Sequence, residues 1–244
     1  MRNIKITLSY EGTNFFGWQT QPGKRTVQET TQEALAKLLG HEINLRASSR
    51  TDAGVHALGQ VANFRTPNPL PIEKILSGTN AFLPEEIAIR QAEEVSVDFD
   101  ANRDARRKLY RYSLYQSRIP DPFSRSHTYQ VRQELNLEEM KAAATVLLGT
   151  HDFRCFETDW PNRESSVRTM NHVSLSRMGP WIWLDIEGDG FLYNMVRAIM
   201  GTLLEIGRGF WPRERMREIV DGQDRKLAGP TVPPHGLYLV RVTY

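Results

Sequence analysis

The stretch Ile4-Lys5-Ile6-Thr7-Leu8-Ser9-Tyr10 alternates apolar and polar side chains with a period of two. This pattern predicts a strand whose Ile4, Ile6, Leu8 and Tyr10 side chains face a core, because successive side chains of a strand point to opposite faces. Signals further along the chain predict a helix at 26–40, strands near 43–47 and 59–65, a helix near 71–80 and a strand near 87–95. The order β-α-β-β-α-β is typical of a ferredoxin-like, or RRM-like, domain.

The second half of the chain repeats part of this pattern. Its predicted elements are a strand at 109–115, a helix at 136–149, a hairpin of 167–177 with 181–186, helices at 191–206 and 212–220, and a strand at 237–244. The N-cap Asn136, the acid Glu139 and the ending Leu147-Leu148-Gly149 copy the helix that begins at Thr26. We therefore expect an α+β protein of two similar halves, 1–100 and 101–244. We expect these halves to be joined in one pseudo-symmetric, mainly antiparallel sheet with helices on one face.

Composition limits the class of protein. The chain has 244 residues, of which 40% are hydrophobic, and this is enough for one large core or two modest ones. Its first residues lead directly into a strand without a secretory h-region, and no apolar run approaches the roughly 20 residues that span a bilayer. We therefore expect a cytoplasmic protein without a membrane partner.

Metal and disulfide chemistry find little support in the sequence. Cys155 is the single cysteine, and this excludes an intrachain disulfide and a CxxC metal knuckle. The six histidines are scattered without a metal-ligand spacing. The sequence therefore predicts no metal site.

Charge is distributed unevenly although the net charge is only +2. Residues 85–100 carry six acids against one base, a net −5, and residues 101–132 carry eight bases against two acids, a net +6. Such a switch fits a basic stripe that binds phosphates, and it fits equally well solvated charges on two separate faces.

Residues 48–57, Ser-Ser-Arg-Thr-Asp-Ala-Gly-Val-His-Ala, place a carboxylate beside a guanidinium on a turn between two predicted strands. The side chain of Asp52 can bond local backbone, and Gly54 can supply a positive φ angle. Arg50 is near enough along the chain to favour the ionised carboxylate. Two interpretations fit this spacing. Asp52 could form an Asx-turn and a surface ion pair with Arg50, or it could be a catalytic carboxylate.

Two further residues have competing interpretations. Tyr110 alternates with Tyr112 on one strand face, which fits a core residue or an aromatic platform for a base. Arg197 lies on a helical stripe of small and polar residues that would permit close approach of a partner. Its alternative is an ordinary surface ion pair with Glu205 or Asp189.

Several segments together resemble the TruA family of tRNA pseudouridine synthases. The turn Arg-Thr-Asp-Ala-Gly-Val-His-Ala at 50–57 is similar to the active-site signature of that family. The other similar segments, in chain order, are 10–19 with its Gly-Trp-Gln ending, 108–112 with Tyr-x-Tyr, 191–197 with Met-Val-Arg, and 236–239.

The resemblance implies an enzyme that isomerises uridine to pseudouridine in the anticodon stem-loop of tRNA, at positions 38 to 40. It assigns Asp52 as the catalytic carboxylate and Tyr110, Arg50 and Arg197 as substrate-binding residues. The reaction needs no cofactor, and the family implies a homodimer that binds tRNA. Candidate RNA contacts are Lys24, Arg25, Arg103, Arg106, Arg107 and Arg111.

Two other functions compete with this interpretation. A non-catalytic RNA-binding module could use ferredoxin-like sheets, although its typical aromatic stripes are not evident. A carboxylate-dependent hydrolase could use Asp52 with His56 or Asp152, but it would need a second correctly spaced acid or a metal. We interpret His56 as a packing residue or an RNA contact.

Overall fold

The computed structural model describes residues 1–158 and 165–244. Ten strands and five helices lie in these ranges, and most strand pairs are antiparallel. The predicted α+β class with mainly antiparallel pairing is confirmed. Within the described ranges, no helix has both the length and the apolar character needed to cross a membrane.

Contacts divide the chain into two compact units, Met1–Arg106 with Tyr238–Tyr244, and Arg107–Leu237. The final residues therefore pack with the first unit, whereas the sequence division at residue 100 places them in the second half. The reason is a parallel pairing of the last strand with a strand of the first unit, Tyr238 with His56 and Leu239 with Ala57. Local sequence patterns do not encode such a long-range pairing.

The first unit has the predicted β-α-β-β-α-β order. Its elements are β1 (Arg2–Tyr10), α1 (Val27–Leu39), β2 (Arg46–Ala47), β3 (His56–Thr66), α2 (Ile72–Phe82), β4 (Ile87–Val95) and the last strand, β10 (Leu237–Thr243). Strand β1 lies between β4 and β3, and β2 pairs antiparallel with β3. Ile4, Ile6 and Leu8 are completely buried, as their alternation predicts.

Helix α1 has the predicted ends. The side chain of Thr26 accepts a hydrogen bond from the backbone amide of Glu29, and this satisfies one of the free donors of the first turn. At the other end Gly40 adopts φ 77° and its amide bonds to the carbonyl of Ala36. Gly40 therefore terminates the helix in the left-handed conformation that glycine tolerates.

The second unit contains the remaining strands and helices. They are β5 (Arg107–Gln116), β6 (Tyr129–Val131), α3 (Leu137–Ala144), β7 (Gly149–Asp152), β8 (Val167–Met178), β9 (Trp181–Gly188), α4 (Met195–Gly207) and α5 (Arg215–Gly222). The strand order is β5-β9-β8-β7, and the short strand β6 pairs parallel with β5.

Several predicted boundaries differ from the structure. The helix predicted at 136–149 ends at Ala144, because a 3₁₀ turn follows and Gly149, with φ 96°, begins β7. The helix predicted from residue 191 begins only at Met195, because Asn194 has φ 62°. The strand predicted at 43–47 is reduced to Arg46–Ala47.

Candidate functional site

The turn that carries Asp52 connects β2 to β3 and is fixed at its start by a buried glutamine. The amide of Ser48 bonds to the carbonyl of Val61 at 2.8 Å. Its hydroxyl donates to Oε1 of Gln60, and Nε2 of Gln60 donates to the carbonyl of Ser49, both at 2.8 Å. Ser48 and Gln60 are fully buried. These bonds leave the entry to the turn little freedom.

The centre of the turn is held by the last residue of β1 and by the segment that follows this strand. The amide of Trp18 donates to the carbonyl of Thr51 at 3.0 Å. The hydroxyls of Tyr10 and Thr51 share a buried hydrogen bond of 2.8 Å. Asp52 itself closes a backbone turn, because its carbonyl accepts from the amide of Val55 at 3.1 Å. Asp52 is a half-buried residue on a backbone fixed from both sides.

Close backbone packing explains two glycines of the segment 10–19. A Cβ atom at Gly17 would lie 2.6 Å from the carbonyl oxygen of Thr51, and one at Gly12 would lie 2.0 Å from that of Val55. Both contacts are shorter than a side chain tolerates. Gly54 has the positive φ angle that the sequence predicts, 77°. The sequence does not predict the supporting roles of Tyr10, Trp18 and Gln60, although Tyr10 and Trp18 lie in a segment that carries the family resemblance.

Arg50 and His56 flank Asp52 in different environments. Arg50 is exposed, and among the described residues it has no ion-pair partner within 4.0 Å. His56 is 1% exposed, accepts the amide hydrogen of Gly12 at Nδ1 and stacks on the ring of Tyr238 at 4.8 Å. This burial agrees with the packing interpretation of His56.

Tyr110 lies in the second unit on β5, opposite Ile186 of β9. It is buried, and its ring meets the ring of Phe191 edge-on with 4.8 Å between the centroids. Tyr112 is completely buried two residues later, and its hydroxyl donates to the carbonyl of Pro233 at 2.7 Å. Phe191 precedes α4, so this ring contact links the strand of Tyr110 to the segment that leads to Arg197.

Arg197 is oriented by backbone and amide oxygens. Its Nε donates to the carbonyl of Val232 at 2.8 Å, and Nη1 donates to Oδ1 of Asn194 at 2.6 Å. A Cβ atom at Gly201 would lie 1.7 Å from the carbonyl oxygen of Pro230, so the glycine allows this segment to approach the helix. The predicted close approach along this stripe is therefore observed.

The ion-pair alternative for Arg197 loses one of its candidate partners. Glu205 pairs instead with Arg208 at 2.8 Å.

Lys108 is a cation near Tyr110 that the sequence did not single out. It lies two residues before Tyr110 and therefore on the same face of β5. Burial, together with the nearby charge of Arg168, lowers the pKa of Lys108. The sequence signal for this cation is its spacing of two residues from Tyr110.

Four of the six candidate RNA contacts lie at positions 103–111. Two of these arginines form ion pairs within the protein. Arg111 donates two hydrogen bonds, one to each carboxylate oxygen of Asp185, both at 2.7 Å, and Arg103 pairs with Asp104 at 2.8 Å. Arg106 and Arg107 are exposed, and Arg107 is 3.8 Å from Glu187.

The remaining two candidates follow β1. The ammonium of Lys24 lies over the ring of Phe16 at 4.4 Å. Arg25 pairs with Glu86 at 3.1 Å and, by its hydrogen bond, lowers the pKa of that carboxyl.

Comparison with known proteins identifies a family. A family model described as tRNA pseudouridine synthase matches residues 6–102 and 143–244. The matched ranges include Arg50, Asp52 and Arg197, whereas Tyr110 lies between them.

Curated relatives match over the whole chain. "tRNA pseudouridine synthase A" of Acetivibrio thermocellus is 46% identical over 244 residues, which is 100% of both chains. Proteins of Thermoanaerobacter sp. (strain X514) and Clostridium perfringens, the latter named "tRNA pseudouridine synthase A 2", are each 43% identical with the same coverage.

Proposed function

Because the chain belongs to the tRNA pseudouridine synthase family, we propose that it isomerises uridine in the anticodon stem-loop of tRNA, at positions 38 to 40, with Asp52 as its catalytic carboxylate. The relatives are named as tRNA pseudouridine synthases, and the isomerase activity follows from that membership. The observation that supports the role of Asp52 most strongly is its place on the immobilised turn between β2 and β3.

The chemistry explains why a fixed carboxylate is useful. The bond from ribose C1′ to uracil N1 breaks, the uracil rotates, and a bond from C1′ to C5 forms. The proton on C5 leaves to solvent and N1 gains a proton, so the reaction is redox-neutral and needs no external group. A carboxylate can act here on the sugar, on the ring or on a sugar proton, and all three routes require it to be held against the substrate.

The other site residues have roles that match their surroundings. Tyr110, in edge contact with Phe191, offers an aromatic face to a flipped uracil. Arg197 is held in one orientation by Val232 and Asn194, which suits a residue that orients an anionic partner. Arg50, exposed beside Asp52, is suited to take the place of the extruded base.

The proposal includes the partners and the compartment. We expect a homodimer that binds tRNA across both subunits, because choosing a narrow region of the anticodon arm requires a surface longer than one cleft. We also expect a cytoplasmic location, where tRNA substrates occur. Light scattering at assay concentration tests the dimer, and a fully active monomer would contradict it.

One assay tests the activity and its site together. tRNA labelled with tritium at uracil C5 should release the label without any added cofactor and in the presence of EDTA. Carbodiimide mapping of the product should then locate pseudouridine at positions 38 to 40. Release that requires a specific metal, or modification elsewhere in the tRNA, would contradict the proposal.

A further inference from the structure

The loop of residues 117–128, between β5 and β6, is ordered by its own hydrogen bonds. Its base is closed by the amide of Ser117, which donates to the carbonyl of Val131 at 3.0 Å. At its C-terminal end the amide of His127 and the hydroxyl of Thr128 donate to the carbonyl of Ser124, a buried residue. Compact loops of this kind are frequently functional.

This ordered loop exposes two large apolar side chains. Phe123 is 93% exposed and Ile119 is 77% exposed. The backbone beneath Phe123 is fixed, since its amide donates to Oδ1 of Asp121 at 3.2 Å and prolines stand at positions 120 and 122. Single exposed apolar residues are common and need no explanation. An aromatic ring on a rigid loop, however, is suited to stacking because little entropy is lost when it binds.

The charged residues of this loop indicate which partner fits the ring. Arg118 and Arg125 flank Phe123 in the sequence, both are exposed, and among the described residues neither has an ion-pair partner within 4.0 Å. Arg125 only donates to the carbonyl of Pro122. The loop contains one acid, Asp121. Arginines without an ion-pair partner, on the same loop as an exposed aromatic ring, are the combination that binds phosphate and base together.

A second exposed phenylalanine provides an internal comparison. Phe210 is 67% exposed and also lies among arginines. Those arginines are already paired: Arg208 with Glu205 at 2.8 Å and Arg213 with Glu214 at 3.1 Å. The turn at Phe210 therefore has an aromatic ring without uncompensated positive charge, unlike the loop at Phe123.

We propose that Phe123 stacks on an unpaired base of the tRNA substrate while Arg118 and Arg125 bind the adjoining phosphates; this contact rests on the proposed function. The contact is separate from Tyr110, which the proposed function places against the target uracil. Gln116, at the end of β5, lies six residues beyond Tyr110, which corresponds to roughly 20 Å along a strand. The loop therefore provides a distant contact that selects among tRNA regions without taking part in the chemistry.

Binding and turnover measurements test this contact. Phe123→Leu keeps apolar volume but removes the aromatic face, and it should raise the Kd for tRNA about tenfold. Phe123→Tyr should restore the Kd. Phe210→Leu, the matched control, should change it less than twofold. For Phe123→Leu, the rate of single-turnover tritium release at saturating tRNA should equal that of the unmodified protein. An unchanged Kd for Phe123→Leu would overturn the proposal.

Photocrosslinking distinguishes tRNA from a second protein copy as the partner. With p-benzoylphenylalanine at position 123, a crosslink that ribonuclease shortens supports the tRNA contact. A ribonuclease-resistant product of twice the chain mass, or no crosslink in the presence of tRNA, overturns it. If the unmodified protein binds tRNA but releases no tritium, the proposed activity fails, whereas a ribonuclease-sensitive crosslink still supports the loop contact.

Discussion

The backbone amide of Gly12 donates a 3.0 Å hydrogen bond to Nδ1 of His56, and both residues are buried. Gly12 follows β1 and His56 begins β3, so the bond ties together the two segments that border the Asp52 turn. The stack of His56 on Tyr238 adds the last strand to this support. A histidine that sequence spacing places near a carboxylate thus serves, in the structure, as a hydrogen-bond acceptor inside the unit.

Replacing His56 should therefore affect stability. His56→Phe keeps an aromatic ring for the stack but removes the acceptor, which leaves the buried amide of Gly12 without a partner. We expect a loss of about 1–3 kcal/mol in the free energy of unfolding, measured by urea titration. The control His172→Phe, on an exposed strand position, should change it by less than about 0.5 kcal/mol. Equal stability of the two variants would contradict this role.

Asp52→Asn should abolish tritium release because it removes the charge and nucleophilicity of the carboxylate with little change in volume. The Kd for tRNA should change less than about tenfold, ~1.4 kcal/mol. Asp152→Asn is the control, because Asp152 is the alternative candidate acid and it forms an ion pair with Arg154 at 2.6 Å. Turnover by a folded Asp52→Asn protein would place the chemistry elsewhere.

Gly201→Ala should destabilise the second unit strongly. The new methyl group would lie 1.7 Å from the carbonyl oxygen of Pro230, a backbone atom that cannot rotate away. We expect a cost of about 3 kcal/mol or more. Gly78→Ala, also in a helix, meets a flexible end of Leu38 at 2.7 Å. At Gly78 the higher helix propensity of alanine, about 0.5–1 kcal/mol, should offset the cost of the contact with Leu38. Thermal unfolding of the two variants measures the difference in stability.

Cys155 should resist alkylation in the folded protein. Burial raises the pKa of its thiol from 9.0 to about 12. At pH 8.5 the thiolate fraction then falls to roughly one in three thousand, against about a quarter in the unfolded chain. The pKa of the Cys155 thiol is higher in the folded protein than in the unfolded chain. The contribution of this thiol to the stability of the folded state is therefore fully present below pH 9 and is lost as the pH rises towards 12. Rapid iodoacetamide labelling without urea would contradict this burial.

Arg106 and Arg111 should differ as RNA contacts. Arg106 is exposed, and the described part of the chain offers it no ion pair within 4.0 Å. Arg106→Ala should weaken tRNA binding. It should also reduce the slope of log K against log salt concentration by roughly one unit or less. Arg111 makes a bidentate ion pair with Asp185. Arg111→Ala should therefore lower the free energy of unfolding and leave the salt dependence of tRNA binding nearly unchanged. Titrations at several salt concentrations measure both slopes, and equal slopes would contradict the distinction.

Local signals predicted much of the fold. The alternation of β1, the Thr26 cap and the Gly40 stop of α1, and the element order of the first unit all follow from interactions within a few residues. The end of α3 and the start of α4 did not, because a 3₁₀ turn follows Ala144 and Asn194 adopts a positive φ angle. The second of these conformations is unusual for a residue other than glycine, and propensity does not predict it.

The sequence by itself determined where the carboxylate of Asp52 stands, on a turn with a positive φ at Gly54, because turn chemistry is local. Tertiary structure decided what holds that turn. Gln60 and the segment after β1 reach it through hydrogen bonds between residues far apart in the chain. It also decided that the last strand joins the first unit and that Arg197 is oriented by Val232. Such contacts depend on how whole elements pack, which no local pattern specifies.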